Sequence, residues 1–161
     1  MELAARLDAR RVAPEGLKAM LGLEAYLAGC GLEKRLLDLV RLRASQINGC
    51  AYCLDMHWKD LRAEGETEQR LYGLDAWRES PYYSKRERAA LAWTEAVTRV
   101  ADTHVPDDVY QAARAEFADK ELVDLTLAIA AINAWNRLSI AARVVPGPYQ
   151  PAKTHELKKG A

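Results

Sequence analysis

The sequence predicts an all-α fold in a single domain, and three observations lead there. Apolar residues recur three and four positions apart through most of the chain, as a helix with one buried face requires. Proline, glycine and Ser/Asp punctuation falls between those stretches, where helices start and stop. No run alternates apolar and polar residues between turn signals, so no strand is expected. The 161 residues suit one domain spanning 1–161, and half of them are apolar, which supports a packed core rather than disorder.

Pro14-Glu15 opens a helix that runs to about Ala28, where Gly29 and Gly31 stop it. Leu32 to Ile47 carries apolar residues at Leu32, Leu36, Leu39, Val40 and Ile47. Asn48-Gly49 favours a turn or kink, and Cys50 starts a new helical run to about Glu64, capped by Gly65. Thr67 to Trp77 forms one or two short helices. Ser80-Pro81 is a break, and Ser84-Lys-Arg-Glu87 has the form of a capping box ahead of Ala89 to Val100. Pro106-Asp107-Asp108 opens a helix to about Phe117. Asp119 is the expected N-cap of the longest helix, ending near Val144, whose Leu122, Leu125, Ile129, Ile132 and Leu138 place it at the centre of the core. Pro146, Pro148 and Pro151 end the helical structure and leave a tail, 146–161, that packs extended or stays loose.

Composition narrows the function. There are 23 basic and 23 acidic residues and no formal net charge, without the basic excess of a nucleic-acid binder. The C-terminal His155-Glu-Leu-Lys158-Lys159 is too short and mixed to change that. The longest apolar stretch, Leu125 to Trp135, is broken by Thr126 and Asn133 and is too short for a membrane span. The first eleven residues hold Glu2, Arg6, Asp8, Arg10 and Arg11, unlike a secretory signal. A cytoplasmic protein with no membrane partner is expected. Three cysteines, an odd number, do not suggest a secreted disulfide framework, and a close pair in a reducing compartment points to catalysis or metal binding.

The chemistry concentrates in Cys50-Ala-Tyr-Cys53-Leu-Asp-Met-His57. On a helix, residues three apart have Cα atoms about 5 Å from each other, within the range of a disulfide. His57 lies one turn beyond Cys53, so all three side chains are expected on one stripe. An ordinary thiol, with a pKa of about 8.5, is mostly protonated near neutrality. The positive end of a helix favours the thiolate, and an adjacent imidazole takes up its proton. Attack on a peroxide would give a sulfenic acid that a second cysteine converts to a disulfide; the pair could equally exchange with a partner's disulfide. Structural zinc is the rival reading, but a closed site wants four ligands. No second Cys/His pair exists, and Cys30 and Asp38 would complete a site only by accident of folding. No metal and no cofactor are therefore expected.

The segment from Leu36 through Leu-Asp-Leu-Val-Arg-Leu-Arg-Ala-Ser-Gln-Ile-Asn-Gly to Cys50-Ala-Tyr-Cys53-Leu-Asp-Met-His57 resembles the core of the AhpD-like alkylhydroperoxidases, within the carboxymuconolactone decarboxylase family. A weaker resemblance runs through Ser84 to Thr98 and Asn133 to Tyr149, so it covers most of the chain, with the motif core at about 36–65. It implies an AhpD-like helical bundle assembled as a homotrimer or homohexamer, and reduction of hydroperoxides at the expense of a dithiol reductant. It also implies that Cys50 and Cys53 are the redox pair, His57 the relay histidine, and Cys53 the residue that attacks peroxide; the helix dipole alone does not separate the two cysteines. The family's relay glutamate lies twelve residues before the first cysteine, where this chain has Asp38. Aspartate keeps the carboxylate but reaches one bond less far, a gap that a bridging water would absorb. The alternative for Asp38 is an ordinary solvent-facing helix residue.

Two other functions remain open at this stage. One is lactone decarboxylation, as in the family's namesake, which does not need the cysteine pair. The other is a redox-sensing dithiol without turnover. Outside the motif, His104 reads as a surface histidine and His155 lies in the tail. Trp58, Trp77, Trp93 and Trp135 read as core or subunit-contact residues. Asn136-Arg137 could line the site but reads more simply as an anchor for its helix.

Overall fold

The computed structural model describes residues 4–151 and contains, among them, nine α-helices and no strand. They are α1 (Ala9–Val12), α2 (Pro14–Ala28), α3 (Lys34–Asn48), α4 (Ala51–Ala63), α5 (Glu68–Tyr72), α6 (Lys85–Thr98), α7 (Val100–Thr103), α8 (Asp107–Arg114) and α9 (Asp119–Ala142), with a 3-10 turn at Leu74–Ala76 after α5. The sequence signals act as expected at most ends. Pro14 takes the first turn of α2. The Ser84 hydroxyl accepts the Glu87 N–H, and the Glu87 carboxylate accepts the Ser84 N–H at 2.7 Å, a complete capping box.

The start of α9 differs from the expectation. Ala118, not Asp119, is its N-cap, and Asp119 is the first helical residue. Alanine has no acceptor to offer, but Glu121 reaches back to the Ala118 N–H at 2.9 Å and fills half of the capping role. The Asp119 carboxylate stays in the first turn, where the helix dipole favours an anion.

Two apolar clusters flank α3. Leu36, Leu37 and Val40 pack with Ala90 and Trp93 of α6, Phe117, and Leu125, Ala128 and Ile129 of α9. Leu39 and Leu42 pack on the other side with Leu61 of α4, Leu71, Leu74, Trp77, Tyr83 and Leu91 of α6. By length and composition α9 could cross a membrane. In this structure it is the central helix of the bundle, packed against α2, α3, α4 and α6. The tail is described only as far as Pro151, so the rest of 146–161, with His155, lies outside the described residues.

Polar anchors fix the register of α3 against α9. The Asn48 amide donates to the side-chain oxygens of Asn133, at 3.0 Å, and Asn136, at 2.8 Å. Asn136, fully buried, donates in turn to the Ser45 hydroxyl at 3.0 Å. Asn136 is thus an anchor rather than a lining residue, and Arg137 is exposed. Replacing Asn136 by alanine removes two hydrogen bonds, while Asn48 keeps Asn133 and the Ser45 hydroxyl keeps the Arg41 carbonyl. Asn136→Ala should lower unfolding stability by about 1–3 kcal/mol, from the two lost hydrogen bonds. Urea denaturation checks this; a change below about 0.5 kcal/mol would mean that the network is dispensable.

Candidate active site

The reactive segment is set by a tight reversal between α3 and α4. Gly49 has φ +68°, a left-handed conformation that costs other residues Cβ strain, and it ends α3. The Cys50 N–H then donates to the Ser45 carbonyl at 3.1 Å. Cys50 is extended (φ −82°, ψ 95°) and is the N-cap of α4, its Sγ accepting the Cys53 N–H at 3.3 Å. A cap and the third residue of a first turn converge, which leaves the Cys50 and Cys53 Cα atoms 5.3 Å apart and their sulfurs joined in a disulfide.

Beside Cys53 opens a cavity of about 980 Å³. Its walls are mostly apolar: Leu17 and Leu21 of α2, Tyr52 and Met56 of α4, Ile132, Trp135 and Leu138 of α9. Both ends of the described chain cover it. The N-terminal segment is tied down where the Arg6 N–H donates to the Ala142 carbonyl at 2.8 Å. The tail is strapped over α4 by Lys59, whose Nζ donates to the carbonyls of Gly147 and Tyr149, and by Asp55, which accepts the Gly147 N–H.

Of the site residues read from sequence, Cys53, His57 and Asp38 front this cavity and Cys50 does not. The single stripe is corrected accordingly: a capping residue lies off the helical wheel, so Cys50 sits behind Cys53. Both cysteines are 1% exposed. Cys30, the free cysteine, is on the loop between α2 and α3 and does not line the cavity. His104 is exposed, as expected.

Asp38 is not solvent-facing. It is 4% exposed, with Lys34 on one carboxylate oxygen at 2.6 Å and Arg41 on the other at 2.9 Å. Arg41 also pairs with Glu24 at 2.8 Å, and Lys34 also meets Glu64. His57 is 5% exposed and neither ring nitrogen has a hydrogen-bond partner. Burial holds its pKa down at about 4; the Asp38 charge opposes this, and Arg41 and Lys34 reinforce it. The imidazole is therefore neutral around pH 7, and no direct hydrogen bond joins it to Asp38.

Sequence reasoning missed three residues here. Asp60 lies one turn beyond His57 on the same face of α4, a spacing that was readable. Its Oδ1 accepts the Tyr149 hydroxyl at 2.6 Å. Burial pushes the Asp60 carboxyl up, against the lowering effect of that hydrogen bond. Tyr149 arrives from the tail, 89 residues away, and carries no local signal. Trp135 lines the cavity and its Nε1 donates to Glu24 at 3.0 Å, whereas Trp77 and Trp93 are core residues.

The pattern that defines the carboxymuconolactone decarboxylase family matches residues 14–96, from α2 through nearly all of α6. The chain belongs to that family. It is 43% identical over 139 residues, 86% of this chain and 95% of the other, to the uncharacterized protein YdfG of Bacillus subtilis. Among solved structures, it superposes with a TM-score of 0.87 and 45% identity on ATU0492 of Agrobacterium tumefaciens, a protein of unknown function proposed as the antioxidant defence protein AhpD; 91% of this chain and 100% of that one are covered. The debrominase Bmp8 shares the fold at 19% identity and a TM-score of 0.73, covering 84% of this chain and 73% of its own. The fold is thus shared with a debrominase, and the substrate has to be argued from the cavity.

The oxidised protein should lose stability as pH falls. His57 binds a proton near pH 4 when folded and about 6.5 when unfolded, so below pH 6.5 the unfolded state binds more protons. The loss should accumulate between about pH 6.5 and 4 and reach on the order of 3 kcal/mol. Denaturation of wild type and His57→Gln across that range measures it; equal slopes would place the titration elsewhere.

Proposed function

We propose that this protein is a thiol-dependent hydroperoxidase that reduces organic hydroperoxides through Cys50 and Cys53. One observation carries the reading: Cys53 fronts a large apolar cavity, with Cys50 bonded behind it and a buried, unpartnered imidazole one turn along α4. In the reduced protein the neutral His57 ring accepts the Cys53 proton, at the positive end of α4 where a thiolate is favoured. The thiolate attacks the terminal peroxide oxygen. The S–O bond forms, the O–O bond breaks, and the alkoxide leaves as an alcohol with the proton held on His57. Sulfur is now a sulfenic acid. Cys50 attacks that sulfur, the disulfide closes, and the hydroxyl departs as water with the Cys50 proton. A dithiol reductant, small molecule or protein, then exchanges with the disulfide, restores both thiols and is itself oxidised.

Asp38 completes the relay through a water between its carboxylate and the imidazole, since no direct contact exists. The two cations on Asp38 keep it placed. Assembly as a homotrimer or homohexamer and a cytoplasmic location belong to the same reading. A redox sensor without turnover would share this geometry, and steady-state consumption separates the two.

The test is consumption of an organic hydroperoxide with dithiothreitol. Wild type should turn over repeatedly, and Cys53→Ser should lose activity. Cys50→Ser, reduced and then freed of dithiothreitol, should react once and stop at a sulfenic acid trappable with dimedone. Undiminished turnover by Cys53→Ser would overturn the scheme, and a single oxidation without turnover in wild type would give the sensor reading. Asp38→Asn should slow thiol oxidation about a hundredfold, the usual scale of acid–base assistance. Wild-type rates in that folded variant would make the carboxylate a bystander.

A further inference from the structure

The acidic side chains around the cavity outnumber the basic ones. Five of its lining residues are acidic and three are basic. Glu24, Asp38 and Glu64 are each in ion pairs with Arg41 or Lys34. Asp60 is in none among the described residues; its side chain accepts from the neutral Tyr149 hydroxyl. The Lys34 charge is felt at Asp60 but is already held by Asp38 and Glu64. An anion outside any ion pair, on the wall of a largely apolar cavity, repels a second anion more strongly than it would in water.

Position makes this repulsion selective. Cys53 and Asp60 are seven residues apart on α4, which at 1.5 Å per residue is about 10 Å along the helix. A molecule with its reacting oxygen at Cys53 and a chain of that length lays its far end beside Asp60 and Tyr149. An apolar or hydroxyl-bearing end meets compatible partners there. A carboxylate meets Asp60, with the charges of Asp38 and Glu64 also acting there and only Lys34, shared between those two, opposing them.

We propose that the cavity selects neutral, medium-chain organic hydroperoxides and rejects those ending in a carboxylate, with Asp60 as the specificity-determining residue. This rests on the hydroperoxidase reading for its substrate but is tested by binding, without turnover. Octanoate and methyl octanoate differ at the end group and are titrated into the full-length protein at low ionic strength, following tryptophan fluorescence, because Trp135 lines the cavity.

The ester should bind tenfold or more tightly than the acid, and salt should narrow the gap. Asp60→Asn should bring the two near parity by tightening octanoate. Tyr149→Phe, which leaves the charge in place, should keep the preference. Equal or tighter binding of octanoate to wild type, an unchanged ratio in Asp60→Asn, or no binding of either probe would overturn the proposal. Failure of peroxide turnover, by contrast, would remove the proposed reaction and leave the measured selectivity standing.

Discussion

The position of α3 between the two apolar clusters constrains everything around it. Leu36, Leu37 and Val40 are committed to one side, Leu39 and Leu42 to the other, and the remaining face carries Lys34, Asp38 and Arg41 into the cavity wall. Helix geometry leaves no freedom in this division, because a rotation that exposed the charges would pull leucines out of both clusters. The carboxylate is therefore desolvated by packing and has to be neutralised where it stands. Two cations do so, and each also holds a second carboxylate, Glu64 or Glu24. Removing Arg41, the buried partner, should cost about 3–5 kcal/mol, the usual penalty for leaving a buried charge unpaired, whereas the largely exposed Lys34 contributes much less.

The same helix fixes the redox pair. Its C-terminal end is anchored by Asn48 and Ser45 to Asn133 and Asn136, and the left-handed Gly49 turns the chain directly into Cys50. Cys50 is consequently not free to choose a rotamer on a helical face. It caps α4, and that places Cys53 in front and Cys50 behind. The asymmetry between two chemically identical thiols comes from backbone direction at one turn, not from any difference in their neighbours along the sequence.

What could be read in advance follows from the range of each signal. Helix ends set by proline, glycine and the Ser84–Glu87 box were readable because caps act over four residues. The start of α9 was misread because an Asp before an apolar run looks like a cap, while the actual contact is made by Glu121 from inside the helix. Cys53 and His57 were readable from spacing alone, being one turn apart on a single helix. Asp38 was identified by resemblance, but its burial was not, because burial of a charged residue depends on Arg41 and on how α2 and α4 close over it. Tyr149 and Trp135 reach the cavity through contacts 89 and 111 residues long in sequence, and no local pattern encodes those.

The buried imidazole connects these features to redox chemistry. With the disulfide closed there is no ionisable sulfur near His57, and an uncompensated charge on the ring would be costly, so the ring stays neutral. Opening the disulfide in the proposed cycle introduces a thiol within one helical turn. Proton transfer from that thiol creates two opposite charges together, and a close ion pair is far less costly to hold in an apolar wall than either charge alone. The wall around His57 therefore disfavours a lone charge on the ring but would hold a thiolate–imidazolium pair. In the proposed cycle that pair forms only when the protein is reduced, which would confine nucleophilic reactivity to the half of the cycle that needs it.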